Sequence, residues 1–182
     1  RNAGGGSTIT QQLAKNLFPR DTASKSSALV RKSKLVITKF KEWITSVKLE
    51  RNYTKNEIIA MYLNVVEFGS NSYGLKSAAK TFFNTTPDSL KVEEAALLVG
   101  VVNAPTRYSP TRNPERSLQR RNIVLSQMRK YGYLTQEQYD SISKIPIKLN
   151  FKEQDHNTGI ATYFREMIRL FMTAKQPERR HY

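Results

Sequence analysis

Apolar residues recur at helical spacing through most of this chain. Ile9, Leu13 and Leu17 stand at i, i+4 and i+8 and predict a helix with one buried stripe. A longer run, Ala28 to about Arg51, carries Val36, Phe40, Trp43, Ile44 and Val47 on the stripe expected to be buried. Leu35, Lys39, Glu42 and Ser46 fall on a narrow arc at its edge, so Lys39 and Glu42 are expected together at the rim. Ile58, Ile59, Met61, Tyr62 and Leu63 mark a third helix, and Leu75, Ala78, Ala79, Phe82 and Phe83 a fourth. The run VEEAALLVGVV is strongly apolar yet too short to span a bilayer, and is expected at the centre of the core. Leu118, Ile123, Val124, Leu125 and Met128 predict a further helix, and Ile160 to Thr173 a last amphipathic one. No segment alternates convincingly and nothing repeats. The expected fold class is mainly α.

Polar residues punctuate these runs. Thr8 with Gln11, Thr54 with Glu57, and Thr135 with Gln138 each have capping-box spacing. Asp88 or Ser89 is expected to open the apolar helix, and Asn113 to cap a helix with Pro114 at its first position. Gly132 is placed as a C-terminal stop. After Pro19, RDTASKSS reads as a polar connector, and Gly69 and Gly74 flank a polar loop. Beyond Ile145–Pro146 the pattern loosens, and IKLNFKEQDHNTG reads as an extended segment. The expected organisation is a domain over 1–145 and an irregular linker, or the start of a following region, over 146–182.

Charge changes the picture more than composition does. The 182 residues carry a formal net charge of +15 and no cysteine, which excludes disulfides and thiolate metal sites. His156 and His181 share no metal-ligand pattern, so no metal site is expected from the side chains. Residues 1–55 hold twelve Lys and Arg against Asp21, Glu42 and Glu50, a local excess of +9. Such a field implies an anionic partner: nucleic acid, an acidic membrane surface or a phosphorylated substrate. No recognisable nucleic-acid reading motif accompanies it. No run is long and apolar enough to cross a membrane. The chain opens at Arg1-Asn2 without an initiator methionine and reads as a piece of a longer protein.

The stretch GGGSTITQQLAKN, Gly4 to Asn16, gathers the parts of an anion site. A glycine-rich approach leads into a helix N-terminus whose unpaired N–H groups favour negative charge. Thr8, Gln12, Lys15 and Asn16 line one side with hydroxyl, amide and ammonium donors. The competing reading is a glycine linker before an ordinary amphipathic helix. Lys39 and Glu42 likewise read either as a solvated i, i+3 ion pair or as a functional pair.

Four stretches together resemble the peptidoglycan glycosyltransferases of glycosyltransferase family 51, the domain found in class A penicillin-binding proteins. GGSTITQQLAKN is similar to that family's second motif, and KFKEWITSVKLERNYTKNEIIAMYLN to its third. FGSNSYGLKSAAKTFFN resembles the fourth, and EEAALLVGVVNAPTRYSPTRNPERSLQRRNIVLSQM the fifth. The order is preserved, and the matches cover roughly Gly5 to Met128. The resemblance implies a lysozyme-like helical fold and lipid II as substrate, a disaccharide-peptide on a polyprenyl pyrophosphate, polymerised with inversion into glycan strands. It implies that Ser7, Thr8, Gln12 and Lys15 bind substrate about the pyrophosphate. It implies that Lys39 stabilises that group, and that Glu42 orients the acceptor or holds a cation such as Mg. A moenomycin-type inhibitor would share the site. The implied location is the extracytoplasmic face of the bacterial inner membrane, anchored by a segment outside this chain.

Three departures qualify the match. The family's first motif, with the general-base Glu, should precede Gly4 and is absent from these residues, so 1–182 alone is expected to bind substrate without polymerising it. Thr38 stands where the family usually has Arg, with Lys34 about one turn earlier as the replacement charge. The connector from Asn16 to Lys39 is longer than usual and reads as a flap over the groove. Two alternatives stand beside this reading. A lysozyme-like glycan-cleaving domain would need a second carboxylate or an activated water beside Glu42. A basic nucleic-acid- or membrane-binding module would need only the charge.

Overall fold

A computed structural model describes residues 7–17 and 28–152, the backbone alone for 28–34, and Met167, Ile168, Leu170 and Phe171. Seven helices are found among them: α1 Ile9–Leu17, α2 Ala28–Asn52, α3 Lys55–Val65, α4 Leu75–Phe83, α5 Val92–Val102, α6 Pro114–Lys130 and α7 Gln136–Ser143. A 3-10 turn at Pro87–Ser89 precedes α5, and one isolated antiparallel bridge joins Glu67 to Tyr73. The described part is mainly α, without a sheet. The glycine approach at 4–6, the connector at 19–27, the tail from 172 and both histidines lie outside the described residues.

The polar punctuation works largely as its chemistry dictates. In the Thr54 box the Glu57 N–H donates to Thr54 Oγ1, and the Glu57 carboxylate accepts from the Thr54 N–H at 2.8 Å. Thr135 and Gln138 close the same box at α7. Gly132 takes φ +79 just past α6, and the Tyr133 N–H returns to the Met128 carbonyl. Two caps differ from expectation. Asn113 leaves the α6 N-terminus uncapped because its side-chain amide donates to the Thr106 carbonyl instead. Asp88 and Ser89 belong to the 3-10 turn, and α5 opens three residues later, where the Glu94 carboxylate accepts from the Lys91 N–H.

The core is built by α3, α4 and α5, with Leu13 contributed from α1. Ile58, Tyr62, Phe68, Ala78, Phe82, Leu97 and Leu98 are all buried in one cluster with Leu13. A second cluster of Ala96, Leu125 and Leu134 joins α5 to α6 and the start of α7. Beyond α7 the chain turns back as a strap. The Asn150 N–H donates to the Phe82 carbonyl and that of Lys152 to the Thr81 carbonyl, while Ile147 and Leu149 pack on the core. The chain divides into two compact units, Arg1–Lys152 and Glu153–Tyr182. In the second, the four described residues are helical and exposed.

The apolar stripes of the first two helices are corrected by the structure. Leu13 is fully buried, but Ile9 and Leu17 are nearly half exposed. On α2, Val36, Phe40, Trp43 and Ile44 are exposed, whereas Glu42 and Ser46 are buried. Among the described residues, α2 turns its polar arc inward toward α1 and α3 and leaves its apolar stripe outside. Periodicity reports that a helix has two unlike faces; it does not report which one the neighbours cover.

Candidate active site

One cleft of about 470 Å³ lies where α1, α2 and α3 meet the loops after α3 and α5. From α1 come Gln11, Gln12, Lys15 and Asn16, with Ser7 just before the helix. The helix start is fixed by its own box: the Gln11 N–H donates to Thr8 Oγ1 at 3.2 Å, and the Thr8 N–H to Gln11 Oε1 at 3.3 Å. Thr8 is thus engaged in capping, is exposed, and is not among the residues that line the cleft. With that first turn pinned, Gln12 and Lys15, three residues apart, project from one side of the helix into the cleft.

Lys39 and Glu42 supply the opposite wall from α2. Lys39 Nζ lies 2.8 Å from Glu42 Oε2, with the lysine side chain 55% exposed and the glutamate only 6%. Glu42 is therefore not the rim residue its helical position suggests. Its backbone carbonyl also accepts from the Ser46 hydroxyl at 2.7 Å. A carboxylate held this deep next to an ammonium is expensive to bury for stability alone. The ammonium has three donors, and the bond to Glu42 uses one. Lys34 lies on the α2 backbone two turns or so before Glu42, and its side chain lies outside the described residues.

Three lining residues were not singled out for a binding role by their sequence positions. Tyr62 rises from the core on α3 and donates from its hydroxyl to Gln12 Oε1 at 2.9 Å, a contact between residues fifty apart. Burial pushes the Tyr62 phenol above its ordinary value of 10.0, so it keeps its proton. Glu67 enters from the loop after α3, and Asn103 from the end of α5. Glu67 stands far from the glycine-rich stretch in sequence, and the turn between α3 and α4 brings it to the cleft that Gln12 also lines. The signal that was available is its place just after the Tyr-Leu-Asn stretch, Tyr62 to Asn64.

Lys39 has a second neighbourhood. With Leu35, Val36, Phe40 and Trp43 it borders an open apolar groove of about 560 Å³ on the outer side of α2. Phe40 and Trp43 meet there edge to face, their ring centroids 5.6 Å apart. A polar cleft and an apolar groove thus share one lysine. Among the described residues no three His, Cys, Asp or Glu side chains converge as a metal site.

Comparison with known proteins gives this arrangement a lineage. The transglycosylase family matches residues 1–129. The chain is 37% identical to penicillin-binding protein 1A of Aquifex aeolicus over 174 residues, covering 96% of this chain and 22% of that protein. It is 44% identical to penicillin-binding protein 1A/1B of Bacillus subtilis over 147 residues, 80% of this chain and 15% of the relative. The crystal structure of penicillin-binding protein 1A from Haemophilus influenzae matches with a TM-score of 0.51 at 32% identity, over 70% of this chain and 19% of that one. The chain spans about a fifth of the length of these relatives. Its motifs, its helical fold and these matches agree, and the chain belongs to the transglycosylase family, as a family 51 glycosyltransferase domain of the class A penicillin-binding proteins.

Proposed function

We propose that this domain, in the protein that carries it, polymerises lipid II into peptidoglycan glycan strands with release of polyprenyl pyrophosphate. The observation that carries the reading is the shared position of Lys39, between a donor-lined cleft and an exposed apolar groove. A pyrophosphate joined to a polyprenyl chain has the same two halves. Lys15, Lys39 and the Gln12 amide face the leaving pyrophosphate, whose developing charge preorganised donors stabilise. Ser7 stands at the same wall. Thr8 contributes indirectly, by holding the helix start, and Lys34 adds charge from α2.

Glu42, fixed by Lys39, orients the acceptor sugar. The general base is the carboxylate of the family's first motif, which residues 1–182 do not contain. A polypeptide of these residues therefore binds the lipid pyrophosphate, or a moenomycin-type phosphoglycolipid, without processive synthesis. A Mg ion travelling with the substrate would draw its ligands from phosphate oxygens, with Glu42 or Glu67 as the protein carboxylates available, which suits an ion that prefers phosphate and water to a protein cage. The reaction belongs at the extracytoplasmic face of the inner membrane, where a lipid-anchored substrate is reached from outside the bilayer. No described helix is long and apolar enough to cross a membrane.

The test is titration with moenomycin. Lys15→Ala removes a charge-assisted contact and should weaken binding by about 1.5–3 kcal/mol. Equal binding by the wild type and Lys15→Ala would remove the cleft from consideration as the pyrophosphate site.

A further inference from the structure

We propose that Tyr62 is the positioning residue for the Gln12 amide, holding its carbonyl oxygen so that its N–H groups are presented to a bound pyrophosphate. The inference rests on the cleft binding that group. A primary amide is ambiguous toward an anion. One half-turn about its last torsion presents two donors, and the other presents a carbonyl that repels negative charge. A glutamine on an exposed helix face does not make that choice by itself. Gln12 is exposed, and its Oε1 is bonded to the Tyr62 hydroxyl at 2.9 Å. Among the described residues its Nε2 bonds to nothing else, and the residue lines the cleft.

Tyr62 suits this task for three reasons. The residue is only 8% exposed and packs in the core cluster with Leu13 and Ile58, so the hydroxyl has little freedom to wander. Its burial pushes the phenol's pKa above its ordinary value, so the proton is present throughout the neutral range. Leu13, the neighbour of Gln12 on α1, packs in the same cluster, so the two partners share one rigid support. The phenol donates to the amide carbonyl and leaves the amide hydrogens available to the cleft. A phosphate oxygen there recruits those hydrogens and so favours the same orientation. Anion binding and the Tyr62–Gln12 bond then strengthen one another.

Moenomycin titration of wild type, Gln12→Ala, Tyr62→Phe and the double variant tests this, with thermal unfolding of each as the structural control. Gln12→Ala should weaken binding by about tenfold and Tyr62→Phe by about threefold to fivefold, and the double variant should bind no more weakly than Gln12→Ala. Gln12→Glu supplies a surface substitution that keeps the acceptor for Tyr62 but has no N–H. It should bind at least as weakly as Gln12→Ala. Wild-type binding by Tyr62→Phe, a Tyr62→Phe loss that persists in full in the Gln12→Ala background, or retained binding by Gln12→Glu would each overturn the assignment. If those results came with weakened binding by Lys15→Ala, only the role of Tyr62 would fall. If Lys15→Ala and Lys39→Ala also bound like wild type, the pyrophosphate reading of the cleft would fall with it.

Discussion

Helices α2 and α5 both carry strong apolar runs, and they treat them in opposite ways. In α5, Ala96, Leu97, Leu98 and Val101 are buried, and Glu93 and Glu94 sit in the first turn, where their charge suits the helix dipole. In α2, Val36, Phe40 and Trp43 face outward, and the residues taken inside are Glu42 and Ser46. Helix α5 is placed chiefly by the hydrophobic effect. Helix α2 is placed so that a carboxylate and an ammonium meet the polar side of α1, at the expense of covering its apolar side. A helix that inverts the ordinary rule marks the place where function rather than stability chose the facing residues.

The largest effect expected from this contrast is in α5. Leu98→Ala empties a fully buried site and should lower unfolding free energy by about 2–5 kcal/mol in a urea titration. A loss under about 1 kcal/mol would mean that the α5 core collapses readily, and the two helices would differ less than they look.

Next comes Glu42→Gln. In the protein carrying the whole domain, lipid II polymerisation followed on a gel should fall at least about tenfold, about 1.4 kcal/mol of barrier. Because Lys39 is half exposed and the amide oxygen still accepts from it, stability should fall by only about 1 kcal/mol. Full activity with a large drop in melting temperature would make Glu42 a structural residue like those of α5.

Smaller still is Val36→Ser on the outer stripe, where the side chain is 65% exposed. Stability of the isolated protein in buffer should change by no more than about 0.5 kcal/mol. A loss comparable to that of Leu98→Ala would show the stripe covered in solution and would erase the contrast.

The smallest effect concerns the junction where α2 hands over to α3. The Thr54 N–H and hydroxyl hold the exposed Glu57 carboxyl below its ordinary value of 4.5. A depressed value makes the box contribute fully above about pH 4.5 and lose its contribution as pH falls through the folded-state value. Glu57→Gln keeps an acceptor for the Thr54 N–H, so its stability should show less acid dependence than wild type between pH 5 and pH 3, measured by chemical denaturation (roughly the range in which a carboxyl titrates).

Local chemistry was legible in the sequence wherever the partners are neighbours in the chain. The boxes at Thr8, Thr54 and Thr135 and the Gly132 stop are made of residues within a turn of one another, and the structure contains them all. The α5 core was legible because Ala95 to Val102 carries no polar side chain, so most of it is buried whichever way the helix turns, although Val99 stays exposed. The inward face of α2 was not. Its two faces are chemically distinct, and the choice between them depends on α1 and α3, which the pattern does not describe. Tyr62 and Glu67 reach the cleft by the same kind of long-range placement: Tyr62 read as one more position of its helix, and nothing local marked Glu67. Asn113 shows the converse, a local cap overruled by a carbonyl seven residues away.

The turn that delivers Glu67 rests on Gly74, which opens α4 at φ +79. A Cβ there would lie 2.5 Å from the Asn64 carbonyl oxygen. In hereditary terms, every missense change at that codon meets a main-chain atom, and exchanging the residue at position 64 moves no main-chain atom out of the way. A search for second-site suppressors of Gly74→Ala at position 64 would accordingly return none, because the corner between α3 and α4 is drawn in backbone alone.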